Sequence, residues 1–314
     1  MTARPIAVNP MTANLVHGVY AAVLAPRRAD DSIDEAALSR LVEFLLERDI
    51  SGFALNGATG EFCLTTPDHL RVIFSVVRRL AGGTKILCGI GAAGTAGVLE
   101  MARIAAGEGA HGVLLPMPYF FPYQQEDLDA FVRAVAESID LPILLYNLPE
   151  FASALEPETS CRLIREVPGV IGIKDSGQSL ATLRRLTQEQ IPACRIIGND
   201  GLLAGALREG VCDGVVSGVA CVLPELIRAL FYERAAPHSA RFEQLTQLLD
   251  EIREQLGRFP TPWALKWIAE ARGICGATFA QPVSPLRREQ ARQMMGWYGS
   301  WQENLSGIAA PVRQ

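Results

Sequence analysis

Eight short apolar runs, separated by segments with helical periodicity, set the strongest limit on what this chain can fold into. The runs are VYAAVLA (19–25), GFALN (52–56), KILCGIG (85–91), GVLLP (112–116), PILLY (142–146), VIGIK (170–174), RIIGN (195–199) and GVVSG (214–218). Nearly every residue in them is apolar, as in parallel strands covered on both faces. Between them, Leu38, Leu41, Val42 and Leu45 fall at i, i+3, i+4, i+7 spacing behind Ser32 and Glu35, which read as a capping box. Thr66-Pro67 marks a second helix start, and Leu128, Phe131, Val132 and Val135 repeat the apolar stripe. Eight strand–helix units joined by right-handed crossovers predict an α/β fold, the (β/α)8 TIM barrel. An open doubly wound sheet is the alternative. The first strand–helix turn, APRRADDS, has no G-x-G-x-x-G phosphate turn and so favours the barrel.

After the eighth run only helical patterns remain, from about residue 224 to 305, which is more helix than one barrel repeat needs. The expected organisation is an N-terminal arm over 1–16, the barrel over 17–234 and a C-terminal helical region over 235–314. Trp263, Trp267, Trp297 and Trp301 form two i, i+4 pairs in that region and read as helix packing rather than an aromatic cage.

The formal net charge of −5, with no long basic run, argues against nucleic acid or an anionic membrane as partner. No apolar stretch approaches the ~20 residues needed to span a bilayer, and MTARPIAVNPMTANLVHG lacks a secretory apolar segment. The seven cysteines are scattered and form no C-x-x-C pair, as expected of reduced thiols in a cytoplasmic protein. His17, His69, His111 and His238 have no metal-site spacing, so no metal site is expected.

Barrel enzymes carry their chemistry at the C-terminal ends of the strands. Those ends read Asn56-Gly57-Ala58-Thr59-Gly60-Glu61, Tyr146-Asn147, Lys174-Asp175-Ser176-Gly177 and Ser217-Gly218. Lys174 closes an apolar strand that leads it to the barrel mouth. Desolvation there favours a neutral amine, which can attack a ketone and form an imine. A solitary strand-end lysine would instead extend to solvent, so its company matters. The Gly57–Gly60 turn offers clustered N–H groups and the Thr59 hydroxyl to a carboxylate or phosphate. Tyr146 ends a buried strand, either as a core aromatic or as a proton carrier beside an imine.

In combination, these motifs resemble the dihydrodipicolinate synthase/N-acetylneuraminate lyase family of class I pyruvate aldolases. The resemblance runs from about Gly18 to Leu286, through NGATGEFCLTTPDHL, PMPYFFPYQQEDL, LLYNLP, VIGIKDSG, GND (198–200), GVVSGVACVLPEL, FPTPWALK and PVSPLRREQ. It implies that Lys174 is the Schiff-base lysine and Tyr146 the catalytic tyrosine. It further implies that Ala58 and Thr59 hold the carboxylate and that the Val216 main chain lies beside the bound oxo acid. No cofactor is implied, and the assembly implied is a homotetramer built from tight dimers.

Three positions depart from the best-known members. Ala58 and Phe120 replace two hydroxyl residues of the family's proton relay, with Tyr119 and Tyr123 as nearby substitutes. Phe151 stands where synthases carry an arginine for the carboxylate of the aldehyde substrate, a contact that phenylalanine cannot make. The resulting expectation is an aldolase or dehydratase acting on pyruvate or a 2-keto-3-deoxy sugar acid. The alternatives are dihydrodipicolinate synthase activity, N-acetylneuraminate lyase activity, or a barrel that binds an oxo acid without turning it over.

Overall fold

A computed structural model describes residues 16–308 of the 314. Eight strands close into a barrel in sequential order, β1 to β8. They are β1 Gly18–Ala22, β2 Gly52–Leu55, β3 Lys85–Gly89, β4 Gly112–Pro116, β5 Ile143–Asn147, β6 Val170–Asp175, β7 Cys194–Ile197 and β8 Gly214–Ser217. The pairings β4–β5, β5–β6 and β6–β7 are parallel and in continuous register, apart from an irregularity at Ile143/Leu144. Almost every strand residue is buried, because one face fills the barrel interior and the other lies under helices. This reproduces the eight sequence runs to within three residues at each end.

The helices that follow are α1 Glu35–Glu47, α2 Pro67–Ala81, α3 Thr95–Gly107, α4 Gln125–Ala136, α5 Pro157–Glu166, α6 Ala181–Gln188, α7 Leu203–Glu209 and α8 Pro224–Tyr232. The stripe Leu38, Leu41, Val42, Leu45 is wholly buried, as its spacing requires. The cap of α1 differs from expectation. Asp34, directly before the helix, accepts from the Ala37 N–H at 3.0 Å, while Ser32 turns back to Asp30 at 2.6 Å. Asp34 wins because an N-cap must immediately precede the first helical residue, and Ser32 is two residues too early. Thr66 caps α2 as expected, in a reciprocal box with His69 and with Pro67 in the first turn.

Three further helices follow the barrel repeats: α9 Ala240–Leu256, α10 Trp263–Ala271 and α11 Pro285–Trp301. The tryptophans join them. Trp263 and Trp267 pack with Phe279, at centroid distances of 5.0 and 4.9 Å, and Trp301 donates from Nε1 to Glu251 of α9 at 2.9 Å. Of the expected N-terminal arm, residues 1–15 lie outside the described residues and Val16 is buried.

None of the seven cysteines is joined in a disulfide, and burial pushes the Cys221 thiol up to about 12. Among the described residues no helix is long and apolar enough to cross a membrane. Backbone proximity groups the chain into two compact units, one built on Leu87–Val215 and the other on Val19–Ile86 with Val216 onward. The residues singled out in the sequence divide between them.

Candidate active site

In the unit built on Leu87–Val215, β5 and β6 end side by side. Their register pairs Tyr146 with Lys174 and Asn147 with Asp175, so the two residues of interest stand at the same level on neighbouring strands. Equivalent positions on parallel neighbours face the same way, which brings the side chains together. The Lys174 amine lies 3.8 Å from the centre of the Tyr146 ring, and both residues are buried, at 4% and 2% exposure.

One step further along, a polar clamp ties the two strand ends. Asn147 donates from Nδ2 to Asp175 Oδ1 at 3.0 Å, and the same oxygen accepts from the Gly177 N–H at 2.9 Å. The Asn147 side-chain oxygen accepts from the Leu155 N–H at 3.1 Å, and its carbonyl accepts from the Ser176 N–H at 2.9 Å. Burial is the main influence on the Asp175 carboxyl and pushes it up, against hydrogen bonds from Gly177, Asn147 and Thr182. The clamp fixes both strand ends, and therefore the spacing of the tyrosine and the amine.

Gly198, at the end of β7, sits under the lysine stem. A Cβ there would stand 2.8 Å from Lys174 Cε and 2.2 Å from Ser176 Oγ, so only glycine leaves room for both. The Ser176 hydroxyl oxygen is buried and has no hydrogen-bond partner among the described residues. A buried hydroxyl without a partner is costly to keep, which sets Ser176 apart from the other polar groups beside the lysine stem. Gly198→Ala should therefore displace the lysine. The expected cost is about 1–3 kcal/mol from overpacking, together with slower covalent trapping at Lys174. Urea midpoints and trapping rates check this, and wild-type values for both would mean the stem does not run over Gly198.

Tyr119 and Tyr123, from the loop after β4, line a cleft of about 270 Å³ with Gly91–Thr95 and Met117. Phe120 between them is 89% exposed, with a backbone φ of +79° that a non-glycine residue rarely adopts. Phe151, in the loop after β5, is also exposed.

The second unit carries Ala58, Thr59 and Val216. The turn after β2 is closed by hydrogen bonds from Glu61 N–H to the Ala58 carbonyl at 3.0 Å and from Phe62 N–H to the Gly57 carbonyl at 3.2 Å. Thr59 is buried and Ala58 half-buried. Val216 is buried in β8, and two residues on, a Cβ at Gly218 would stand only 3.1 Å from Thr59 Oγ1. The Thr59 hydroxyl thus lies against the end of the strand that carries Val216. Glu61 is buried and pairs with Lys266 of α10 at 2.7 Å.

Sequence reasoning singled out Lys174, Tyr146, Ala58, Thr59 and Val216. It missed Gly198, Ser176, the Asn147–Asp175 clamp and Lys266. The clamp had a signal, since both members directly follow the singled-out residues. Among the described residues no cluster of three or more His, Cys, Asp or Glu could hold a metal.

A model of the dihydrodipicolinate synthetase family matches residues 15–297. The 4-hydroxy-tetrahydrodipicolinate synthase of Laribacter hongkongensis is 31% identical over 273 residues, covering 87% of this chain and 94% of that protein. The solved structure of the corresponding synthase from Methylacidiphilum fumariolicum superposes with a TM-score of 0.82 at 26% identity, covering 93% of this chain and 99% of the other. N-acetylneuraminate lyase from Mycoplasma synoviae shares the fold, with a TM-score of 0.79 at 21% identity over 91% of this chain and 98% of the other.

Proposed function

The chain belongs to the dihydrodipicolinate synthetase family and is a lyase of the class I, pyruvate-dependent type, and from there we propose that Lys174 forms the imine and Tyr146 carries its protons. The observation that supports this most is the buried Lys174 amine held 3.8 Å from the Tyr146 ring by adjacent strand register. The Lys174 amine adds to C2 of a 2-oxo acid, and the carbinolamine takes up a proton and loses water to leave a protonated imine. When the C3–C4 bond breaks, its electron pair moves through C3 and C2 to the imine nitrogen, the C4 hydroxyl loses its proton, and the aldehyde departs. Protonation of the enamine at C3 and addition of water at C2 release the oxo acid and restore the amine. With a 3-deoxy sugar acid, the same sink supports loss of the C3 proton followed by the C4 hydroxyl. The imine supplies the electron sink, so the reading calls on no cofactor.

Thr59, with the Gly57–Gly60 backbone around Ala58, is the proposed seat of the oxo-acid carboxylate, and the Val216 main chain its neighbour. Support comes from the family motif and from their places after β2 and in β8. Phe151 offers no charge to a second carboxylate, which favours 2-keto-3-deoxy sugar acids as substrates. The names of the curated relatives favour a second reading, 4-hydroxy-tetrahydrodipicolinate synthase activity. Incubation with pyruvate and borohydride, read by intact mass, tests the shared step. One reduced pyruvate on Lys174 is expected, and a folded protein with no adduct would return the chain to the non-catalytic reading.

The proposed assembly is a homotetramer of tight dimers. Phe120, Phe121 and Tyr123 form an exposed aromatic run with ring centroids 5.0 and 6.5 Å apart, and exposed Phe151 lies on the adjoining loop. Exposed apolar groups in such a cluster mark an interaction surface, here for a second copy. Sedimentation at micromolar concentration should give a tetramer that Phe121→Asp dissociates; a wild-type monomer would refute it. Seven cysteines with no disulfide among them support a reducing compartment, the cytoplasm.

A further inference from the structure

We propose that Lys266, on a helix beyond the barrel repeats, is a positioning residue that holds the Gly57–Gly60 turn in shape to receive the substrate carboxylate. The inference rests on the imine reading above and concerns how the same site is held. Only three of the chain's 29 basic residues are lysines: Lys85, Lys174 and Lys266. Lys85 is exposed at the start of β3, whereas Lys266 is as buried as Lys174, each at 4% exposure. A chain that uses arginine for nearly all its positive charge thus keeps lysine at two buried positions.

The Lys266 amine donates to Glu61 Oε2 at 2.7 Å and to the Thr278 carbonyl at 2.8 Å. Glu61 is 9% exposed and adopts the left-handed conformation, φ 55° and ψ 51°, which a residue with a side chain keeps only when its surroundings hold it there. Its own N–H closes the turn onto the Ala58 carbonyl at 3.0 Å. The turn has little slack on its inner side, since a Cβ at Gly60 would meet the Val23 carbonyl oxygen at 3.1 Å and the Asn56 nitrogen at 3.2 Å. Leu265, directly before Lys266, reaches the same place by a second route. A Cβ at Gly218 would stand 3.3 Å from Leu265 Cδ1 and 3.1 Å from Thr59 Oγ1. Helix α10 therefore bears on the turn twice, through Glu61 and through the surroundings of the Thr59 hydroxyl.

A buried ion pair is a poor device for stability alone, because apolar residues of similar volume serve as well or better. It does fix direction, and carboxylate capture by backbone N–H groups depends on direction. Displacing a binding group by ~1 Å can cost about 100-fold. The pairing thus accounts for a feature of the sequence: TGE in the second strand–helix turn and WALK some 200 residues later are parts of one device.

The experiment compares wild type, Lys266→Met, Lys266→Arg and the neutral pair Glu61→Gln/Lys266→Met, reading Tm and the pyruvate concentration that gives half-maximal borohydride trapping. Lys266→Met should lower Tm and raise that concentration about 10- to 100-fold, with full trapping still reached at saturation because Lys174 is intact. The neutral pair should recover most of the lost Tm yet keep the raised half-saturation, and Lys266→Arg should recover part of the affinity. Recovery of wild-type half-saturation together with Tm in the neutral pair would overturn the proposal, leaving Lys266 a structural residue. The same substitutions in a Lys174→Ala background, with pyruvate binding followed by saturation-transfer NMR, read the turn without the imine. Failure of trapping in wild type would therefore count against the imine alone, while equal non-covalent binding with and without Lys266→Met would count against this inference alone.

Discussion

Lys174→Ala abolishes the borohydride-stable pyruvate adduct and lowers turnover on the order of 10⁵-fold, the scale seen when a covalent nucleophile is removed. The expectation follows from the proposal that every bond change is routed through the imine nitrogen: without the amine there is no electron sink for C3. The fold should survive. The side chain removed lies against the face of the Tyr146 ring, and the Asn147–Asp175 clamp that joins β5 to β6 does not involve it. The scarcity of lysine sharpens the test, because an adduct can form at only two other side chains, the exposed Lys85 and the ion-paired Lys266. A shift in Tm of a few degrees with loss of adduct is the expected pair of results. Undiminished turnover, or an adduct that persists in the variant, would remove Lys174 from the chemistry.

How much of this could be read from the sequence depends on the range of the interaction. GVLLP over 112–116 is a strand in the structure to the residue, because a parallel strand buried on both faces leaves a continuous apolar run between turn signals. The cap of α1 was misplaced by two residues, since Ser32 and Asp34 are both good capping types and only the geometry chooses. Lys174 and Tyr146 could each be placed at a strand end. Their contact depends on the β5–β6 register, which includes an irregularity at Ile143/Leu144 that no pattern in the residues announces. Gly198 and Ser176 stand within the GND and VIGIKDSG motifs, but their roles were not legible there, because a glycine needed for close approach and a serine left unpaired look like any others until the neighbouring strands are in place. Lys266 and Glu61 are farthest from view, 205 positions apart and joined only by folding.

Tyr146→Phe separates the tyrosine's two roles, since the ring stays and only the hydroxyl goes. The ring is buried against Lys174, so phenylalanine preserves the surface under the amine and the register of β5 with β6. Stability and the extent of pyruvate trapping should therefore stay close to wild type, while kcat falls about 10²–10⁴-fold for want of a proton carrier. The upper part of that range is expected. The other two positions of the usual relay hold Ala58 and Phe120, neither of which has a hydroxyl, and the Phe120 ring is 89% exposed in this structure. A loss of less than tenfold would mean that another group moves the proton, and the structure offers a short choice. Ser176 keeps a buried, unpaired hydroxyl beside the same lysine stem, whereas Tyr119 and Tyr123 line the cleft after β4. Combining Tyr146→Phe with Ser176→Ala decides between them. A further large loss in the double variant places the proton on Ser176, and no further loss leaves it to the tyrosines of the β4 loop or to water.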